Sequence, residues 1–347
     1  MILTFEQEKA IIRALLQRLG ASEGEASATA EVLTEGDLRG FGSHGLLRLP
    51  YILRALKRGT IIANAKVKVV KETPATALID GGHGLGHYVA TRAMRLAIEK
   101  AKKQGIGAVG VHNTNHFGIA GCYAEMAIRE GLVGIVTTTT DALVHPWGGM
   151  EPLLGTNALA IGIPSKPQPI LLDMAMSVAA RGKLVEAMKE GKPIPEGWAI
   201  GPDGRPTTDP MRGLEGALSP FGGAKGYGLA LVLEILAGPL VGAAMGKEVV
   251  GTLEPVEGYS TKGDFMIAID PAAFGSADEF KARVKKFVAQ LKKSRKAPGV
   301  EEILVPGEPE FRTRETRLKE GIPIAEEVWI ELKQIAKELG VDLKGLK

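Results

Sequence analysis

A glycine fingerprint stands in an unusual place in this sequence. Gly105, Gly107 and Gly110 match the Gly-x-Gly-x-x-Gly spacing with which Rossmann-type domains approach a dinucleotide. That fingerprint needs a strand before it and a helix after it, because the phosphates must meet the N-terminus of the helix. Here a helical pattern over residues 88–103 precedes the glycines, and a buried strand pattern follows them. The motif therefore predicts a connecting turn.

Helical and strand patterns occur along the chain without the steady strand–helix–strand rhythm of a doubly wound sheet. Apolar periodicity predicts helices over residues 4–19, 22–36, 46–58, 88–103, 119–129, 181–190, 229–241, 278–293 and 325–339. Short apolar runs predict strands over residues 67–70, 75–79, 106–111, 132–137, 158–163, 170–172 and 265–269, with a hairpin over 198–206. We therefore expect a mixed α/β (α+β) fold.

The size and charge of the chain restrict the classes of protein it can belong to. Its 347 residues exceed what one hydrophobic core usually holds, so we expect two domains or one large domain with a lobe. A net charge of +3 and the lack of a basic stripe argue against a nucleic-acid partner. A single cysteine, Cys122, fits a reducing compartment. The charged N-terminal residues argue against a secretory leader, so we expect a cytoplasmic protein.

Residues 228–246 form the one apolar stretch that is a candidate for crossing a membrane. Glu234 and Pro239 interrupt it, so it predicts a buried core helix and no membrane partner. The sequence also uses thermolabile side chains sparsely, with four asparagines and one cysteine, which is typical of a thermophilic protein. Three of those asparagines, Asn113, Asn115 and Asn157, lie in candidate site loops.

The densest polar chemistry lies in residues 111–118, which read Val-His-Asn-Thr-Asn-His-Phe-Gly. Imidazole titrates near neutral pH, so His116 suits general acid–base catalysis. The spacing of four between His112 and His116, and between His83 and His87, also allows the ligands of a zinc site. Neither pair carries the flanking glutamate of a zinc protease, so acid–base chemistry is the favoured reading.

A second polar turn, Ser43-His44-Gly45, precedes the third predicted helix. Ser43 can steer the imidazole of His44, and Arg48, one turn further on, can bind a carboxylate through two parallel hydrogen bonds. A capped helix start with a surface arginine explains the same residues. The turn is therefore either an anion-binding catalytic element or a structural one.

Two glycine-rich segments are further candidates. Residues 222–228, Gly-Gly-Ala-Lys-Gly-Tyr-Gly, precede an apolar helix, so backbone N–H groups and Lys225 can face a phosphate there. A close-packed helix entry explains this pattern equally well. Residues 81–86 lack the fingerprint spacing and predict a tight turn, or a place where the backbone approaches a ligand.

Six short motifs follow one another between about residue 37 and residue 310. They are Arg39-Gly40 with Ser43-His44-Gly45, Asn113-Thr114-Asn115-His116-Phe117-Gly118, Gly155-Thr156-Asn157, Asp173-Met174-Ala175, Lys225-Gly226-Tyr227-Gly228 and Pro306-Gly307-Glu308. In this order they resemble the type 2 malate/L-lactate dehydrogenase family of L-sulfolactate dehydrogenase-like oxidoreductases. Ala158 and Ala224 depart from the family pattern, in which proline and histidine are common at these positions.

The resemblance implies a fold unlike the Rossmann domain, with a cofactor domain inserted in a discontinuous second domain. On this basis we expect residues 1–118 and 300–347 to form a helical, dimerising domain that carries the histidine loops. Residues 119–299 are then the NAD(P)-binding domain. The resemblance also implies a homodimer with the site near the subunit contact.

The activity implied by the resemblance is hydride transfer between NAD or NADP and a small 2-oxo acid to give the 2-hydroxy acid, with malate favoured. His44 and His116, helped by Ser43, carry the acid–base roles, and Arg48 with Thr156 binds the substrate. The implied cofactor contacts are Thr140, Asp141, Asp173, Met174, Ala175, Ala224, Lys225, Val305, Pro306, Gly307, Glu308 and Pro309, and no metal is expected. The alternatives are reduction of a cyclic imine or diketo sugar acid, a zinc-dependent hydrolase, and a dinucleotide-binding protein without activity.

Overall fold

The computed structural model describes residues 1–252, 258–343 and 345. Its α-helices are α1 (Phe5–Arg18), α2 (Glu23–Leu38), α3 (Leu49–Arg58), α4 (Gly86–Gln104), α5 (Gly121–Arg129), α6 (Arg181–Glu190), α7 (Pro210–Glu215), α8 (Ala224–Ala237), α9 (Ala277–Lys292), α10 (Glu308–Glu320) and α11 (Glu326–Leu339). Its strands are β1 (Ile2–Leu3), β2 (Lys68–Glu72), β3 (Thr76–Asp80), β4 (Ile106–His112), β5 (Val133–Thr138), β6 (Leu159–Ile163), β7 (Ile170–Met174), β8 (Ala199–Ile200), β9 (Pro206–Thr207), β10 (Ala217–Leu218), β11 (Asp264–Ile269) and β12 (Ile322–Pro323). The mixed α/β class predicted from the sequence is confirmed.

The central sheet has seven strands in the order β2-β3-β4-β11-β5-β6-β7. Strands β3 and β4 are parallel, and every other neighbouring pair in this sheet is antiparallel. Asp264 at the start of β11 lies opposite Val111 near the end of β4 and opposite Thr138 at the end of β5.

This register brings several loops to one edge of the sheet. The loops after β3, β4 and β5 leave there, because β11 runs antiparallel to both β4 and β5. The pairing of Leu159 with Met174 places the start of β6 and the end of β7 at the same edge. Four connections, three of which contain predicted site residues, therefore meet where polar backbone groups are free of the sheet ladder.

The chain termini share one hydrophobic core. Apolar residues of α1, α2 and α3 pack with those of α11, and β1 pairs with β12. A second core lies between the central sheet and the helices α4 and α5. The predicted boundary between residues 118 and 119 stays a prediction, and the central sheet contains strands from both sides of it.

The helix starts predicted from capping signals are confirmed. Thr4 and Gln7 form a reciprocal capping box at α1, and Ser22 and Glu25 form another at α2. The glycine fingerprint is a connecting turn, as predicted. Gly105 ends α4 with a φ of 81°, and β4 follows at once.

Several helices differ from the sequence prediction. The segment predicted as one helix over 46–58 begins with a 3₁₀ turn, Leu46–Arg48, which follows another 3₁₀ turn, Gly42–His44, and α3 starts after it with Pro50 in its first turn. Helix α8 begins at Ala224, so Lys225 lies inside its first turn rather than in a loop before it. Helix α10 was not predicted, because its thirteen residues are charged on all sides and lack an apolar stripe.

The prediction of a buried core helix over 228–246 is wrong for one face of α8. Ala230, Leu233 and Ala237 are buried, but Val232 is 51% exposed, and Leu229, Leu231 and Ile235 are exposed as well. Residues Ala224–Val241 pass the length and hydropathy criteria for a membrane span, and 39% of them are buried. Because α8 is apolar on all sides, one apolar face stays exposed unless another surface covers it.

Candidate active site

The turn over residues 42–48 brings three predicted site residues together. The Ser43 hydroxyl lies 2.9 Å from Nδ1 of His44, and Nε of Arg48 donates to the Ser43 carbonyl oxygen over 3.1 Å. His44 is half-buried while Ser43 is exposed. The side chains of this turn therefore form one connected unit rather than three independent surface groups.

The loop after β4 is shaped by its asparagines. Asn113 has a φ of 51°, and its side-chain amide donates to Asp80 over 3.1 Å. The amide of Asn115 donates to the carbonyl oxygens of His83 and Gly84. Both asparagines thus join this loop to the end of β3 and the glycine-rich turn after it. At these contacts the turn has a structural role.

His44 and His116 meet in the structure although seventy-two positions separate them. Their ring centroids lie 5.4 Å apart with an angle of 30° between the planes. Burial, and secondarily the positive charge of Arg48, lowers the pKa of His44 to about 4. The same two causes hold the pKa of His116 well below its ordinary value. Both histidines are half-buried, and their lowered pKa values leave both imidazoles uncharged at neutral pH. We refer to the space beside these two rings and Arg48 as the recess.

The two imidazoles have different neighbours at Nδ1. The backbone N–H of Gly118 donates to Nδ1 of His116 over 3.3 Å, so the proton of the neutral ring lies on Nε2. The neighbour of His44 is the Ser43 hydroxyl, which can donate or accept. His116 is therefore held as one tautomer, whereas His44 has a partner that suits either protonation state.

A buried ion pair behind the histidine loop was missed from the sequence. Lys262 and Asp264 are both fully buried and paired, and Nζ of Lys262 also donates to the carbonyl oxygen of Asn115 over 3.3 Å. The same ammonium lies 4.6 Å from the centre of the Phe117 ring. This cation therefore holds the loop at the Asn115 carbonyl oxygen and the Phe117 ring.

Arg48 connects the histidines to the loop after β5. Burial lowers the pKa of Arg48 and the neighbouring Tyr51 and Asp141 oppose this shift, but the guanidinium stays charged. Thr140 Oγ1 lies 3.2 Å from Thr156 Oγ1 and accepts from the Thr156 N–H over 2.8 Å. Thr140 and Thr156 therefore contact each other, and the charge of Asp141, which follows Thr140, acts on Arg48. Their roles as substrate and cofactor contacts stay predictions.

The segment after β7 extends this arrangement. The N–H of Met176 donates to the Thr156 carbonyl oxygen over 2.7 Å, and Phe221 donates to the Met176 carbonyl oxygen over 3.0 Å. Asp173 accepts from the N–H of Gly121 over 2.7 Å, and burial raises its pKa to about 6. Met176 thus joins Thr156 to the chain that leads into Ala224 and Lys225 at the start of α8, and Asp173, Met174 and Ala175 directly precede Met176.

The last predicted cofactor segment, residues 305–309, packs beside β7. The Leu171 N–H donates to the Pro306 carbonyl oxygen over 3.0 Å. Gly307 has a φ of 95°, and a side chain there would press on Leu171. Glu308 accepts from the Val305 N–H over 3.1 Å and pairs with Lys292, while Pro309 continues into α10. The Glu308 carboxylate therefore stabilises the loop over residues 305–309, to which it belongs.

The remaining histidines do not form the pairs that a zinc site needs. His83 stacks on Tyr259, and His112 contacts the Val241 carbonyl oxygen over 2.8 Å. His87 is fully buried behind His116, with the ring centroids 6.4 Å apart. Among residues 1–252, 258–343 and 345, no group of three His, Cys, Asp or Glu side chains can hold a metal ion.

The sequence and the fold of this chain are similar to those of proteins named as dehydrogenases. The family model described as malate/L-lactate dehydrogenase matches residues 3–333. The malate/(S)-sulfolactate dehydrogenase of Methanothermus fervidus is 46% identical over 343 residues, which are 99% of each chain. The solved sulfolactate dehydrogenase of Methanocaldococcus jannaschii superposes with a TM-score of 0.95 at 46% identity and covers 99% of each chain.

A more distant relative carries a different name. The Δ1-pyrroline-2-carboxylate reductase of Ancylobacter novellus is 34% identical over 96% of this chain and 97% of its own.

The match of the family model over nearly the whole chain and the identity with its members confirm the resemblance that the six motifs indicate. This chain belongs to the malate/L-lactate dehydrogenase family.

Proposed function

We propose that the protein interconverts a small 2-oxo acid and its 2-hydroxy acid with NAD or NADP. The stacked pair of His44 and His116 carries this proposal, because it places two uncharged imidazoles beside the cationic Arg48 in one recess. A 2-oxo acid needs a cation for its carboxylate and a polar hydrogen for its carbonyl oxygen. In the recess, Arg48 of the turn supplies the cation, and the histidines of the turn and the loop supply the polar hydrogen.

The residues at the start of α8 fit a dinucleotide. Among the described residues, α8 has no side-chain cap, and Gly222 and Gly223 both adopt positive φ values before it. Its first N–H groups and the exposed Lys225 therefore suit the negative phosphates. Thr140, Asp141 and residues 173–175 and 305–309 would hold the rest of the cofactor, and a reduced nicotinamide supplies the hydride.

The proton route follows from the neighbours of the two rings. Reduction adds a hydride to the carbonyl carbon and a proton to its oxygen, so one proton is consumed per turnover. His44 transfers this proton through Nε2, since the Ser43 hydroxyl can accept from Nδ1–H when the ring is charged. His116 donates a hydrogen bond from Nε2–H to the same oxygen and polarises the carbonyl as a neutral imidazole.

Arg48 binds the substrate carboxylate and thereby prepares His44 for its task. In the free protein burial, and secondarily the positive charge of Arg48, keeps His44 uncharged. The substrate carboxylate offsets that charge, so proton uptake by His44 becomes more favourable once the 2-oxo acid is bound. Thr156 contributes a hydroxyl on the same side. The relative from Methanothermus fervidus is named for malate and sulfolactate, and we expect malate among the substrates of this protein.

Steady-state kinetics test this proposal. Oxaloacetate, pyruvate and 3-sulfopyruvate are each mixed with the protein and either NADH or NADPH, and the loss of reduced nicotinamide absorbance is followed. We expect turnover with at least one of these acids without added metal. Tight binding of the dinucleotide without turnover of any acid, or a requirement for stoichiometric zinc, would contradict it.

Reduction of a cyclic imine is the second candidate. The similarity to a Δ1-pyrroline-2-carboxylate reductase favours it, because such a substrate also carries a carboxylate for Arg48. Its ring nitrogen would take the place of the carbonyl oxygen. A higher kcat/KM for Δ1-pyrroline-2-carboxylate than for every 2-oxo acid would select this activity instead.

A homodimer is part of the proposal. The exposed apolar face of α8, which consists of Leu229, Leu231, Val232 and Ile235, supports it, because so large an apolar surface is typical of an interface. We expect light scattering to give twice the chain mass and Val232→Lys to give a monomer. A monomeric wild type would contradict the homodimer.

The domain arrangement, the cellular location and the source are proposed from strand connectivity and composition. The single parallel pair in the central sheet supports a cofactor domain outside the Rossmann type, with the domain boundaries expected above. The single cysteine supports a cytoplasmic location, and the four asparagines support a thermophilic source. A melting temperature within the mesophilic range of about 45–65 °C would count against the latter.

A further inference from the structure

A buried carboxylate lies directly beneath the turn that carries His44. Asp37 is near the end of α2, and its side chain is 6% exposed. One of its oxygens accepts from the backbone N–H of Leu46 over 2.6 Å. Leu46 stands between His44 and Arg48, so this hydrogen bond fixes the backbone between the two proposed site residues.

Two glycines allow the turn to approach α2 this closely. A Cβ on Gly45 would overlap the carboxylate of Asp37, and a Cβ on Gly36 would lie 2.9 Å from the His44 carbonyl oxygen. Gly45 has a φ of −99°, so it is required for space rather than for a left-handed backbone. The carboxylate therefore contacts the turn at Gly45 and Leu46, directly after His44.

Asp37 is itself held in place by its surroundings. Arg317 of α10 donates to its backbone carbonyl oxygen. On α1, the fully buried Glu8 faces Asp37, and burial together with the nearby Asp37 raises the pKa of Glu8 well above its usual range. The raised pKa favours the protonated form of Glu8, which avoids two negative charges side by side. Such a carboxylate is an immobile acceptor.

We infer that Asp37 is a positioning residue that sets the place of His44 and Arg48 for proton transfer and carboxylate binding. It acts through the Leu46 N–H and through its contact with Gly45, and it does not touch the substrate. This inference rests on the proposed function of His44, but the backbone placement it claims is measurable without turnover.

The first experiment compares Asp37→Ala with Asp37→Asn. Alanine leaves the Leu46 N–H without its acceptor and lets the turn shift, and a displacement of about 1 Å in an active site costs about 100-fold in rate. We expect kcat to fall by about this factor while the dissociation constant of NADH or NADPH is unchanged. Asparagine keeps an oxygen for Leu46 and can donate to Glu8, so it restores most of the loss.

Asp270→Ala is the matched control. Its carboxylate also accepts from a backbone N–H, that of Ala272, over 2.8 Å, but it lies in the exposed turn between β11 and α9. We expect normal kcat in this variant. Equal kcat in Asp37→Ala and wild type, or a loss that Asp37→Asn does not restore, would overturn the inference.

A double substitution keeps the inference testable if Asp37→Ala is unstable. Gly45→Ala places a methyl group against the carboxylate, so it lowers kcat on its own. Removing the carboxylate makes room for that methyl group, so the double variant is more active than the product of the two single effects predicts. Additive effects would contradict direct contact.

The NMR signals of the histidine rings separate this inference from the proposed function. The His44 signal is assigned from its loss in His44→Gln. We expect it to shift in Asp37→Ala and to stay in place in Asp270→Ala, whether or not the protein reduces any acid. An unmoved His44 signal in Asp37→Ala overturns the positioning role, whereas a shifted signal with no turnover in wild type refutes only the proposed function.

Discussion

The turn that carries His44 and the loop that carries His116 meet in one recess but control their imidazoles differently. Both rings are half-buried, and both have lowered pKa values for the same reasons, burial and the charge of Arg48. The difference is the group at Nδ1, which is a hydroxyl for His44 and a backbone N–H for His116. The pKa shift alone would not distinguish their tasks, whereas the hydrogen-bond partner does.

A partner that can both donate and accept suits a ring that transfers a proton. A partner that can only donate suits a ring that stays neutral and polarises the substrate carbonyl. The Ser43 hydroxyl rotates to accept or donate as His44 gains and loses a proton. The Gly118 N–H can only donate, so a proton on Nδ1 of His116 would face another hydrogen. We therefore expect His44 to titrate during turnover and His116 to stay neutral.

Replacement of the two histidines has the largest expected effect. Positioned acid–base catalysis contributes about 10²–10⁴-fold, so His44→Gln lowers kcat by a factor in this range and removes its dependence on pH. His116→Gln also lowers kcat, because its Nε2–H polarises the carbonyl, but the pH dependence is retained. Steady-state kinetics across pH give both results.

Near-normal turnover in both variants would exclude the assignment of the two histidines. Loss of the pH dependence in His116→Gln rather than in His44→Gln would reverse the two roles. Circular dichroism and melting temperatures check that each variant is folded.

Substitution of Arg48 has the next largest effect. Hydrogen bonds to a charged group contribute about 1.5–3 kcal/mol, so Arg48→Gln raises the KM of the acid by roughly 10- to 100-fold. Because the charge of Arg48 lowers the pKa of His44, its removal also moves that pKa upward. Arg54→Gln is the control, since Arg54 lies on α3 but pairs with Glu331 at the surface. Equal KM values in the two variants would contradict the role of Arg48.

Substitution of Ser43 has the smallest effect of this series. Ser43→Ala removes one hydrogen bond of about 0.5–1.5 kcal/mol, so we expect a decrease in kcat of roughly 2- to 10-fold. Ser43→Thr keeps the hydroxyl and serves as the matched variant with nearly normal kcat. If alanine and threonine reduce kcat equally, the hydroxyl is not the partner that matters.

Much of the site could be predicted because its residues lie in short contiguous motifs. Ser43, His44 and Arg48 share one turn, and residues 113–118 share one loop, so spacing alone suggested their chemistry. The fold class followed from periodicity and from the misplaced glycine fingerprint. These features are local, and local patterns are what a sequence displays directly.

Other parts depend on contacts between distant segments. Lys262 and Asp264 look like an ordinary surface pair in sequence, and only the insertion of β11 between β4 and β5 buries them behind Asn115. Asp37 belongs to no recognisable motif, and nine positions separate it from Leu46, so the sequence does not indicate their hydrogen bond. The charged helix α10 and the exposed face of α8 were missed because apolar periodicity does not report which surfaces remain uncovered.

The pH dependence of kcat/KM for oxidation of the 2-hydroxy acid tests the role of His44 most directly. In that direction a neutral His44 accepts the hydroxyl proton, so kcat/KM stays constant as the pH falls through the ordinary histidine range. It then decreases near the pKa of the free protein, about 4. Arg48→Gln moves this decrease to higher pH. A decrease near the ordinary pKa of about 6.5 in wild type, unchanged in Arg48→Gln, would contradict the proposed control of His44.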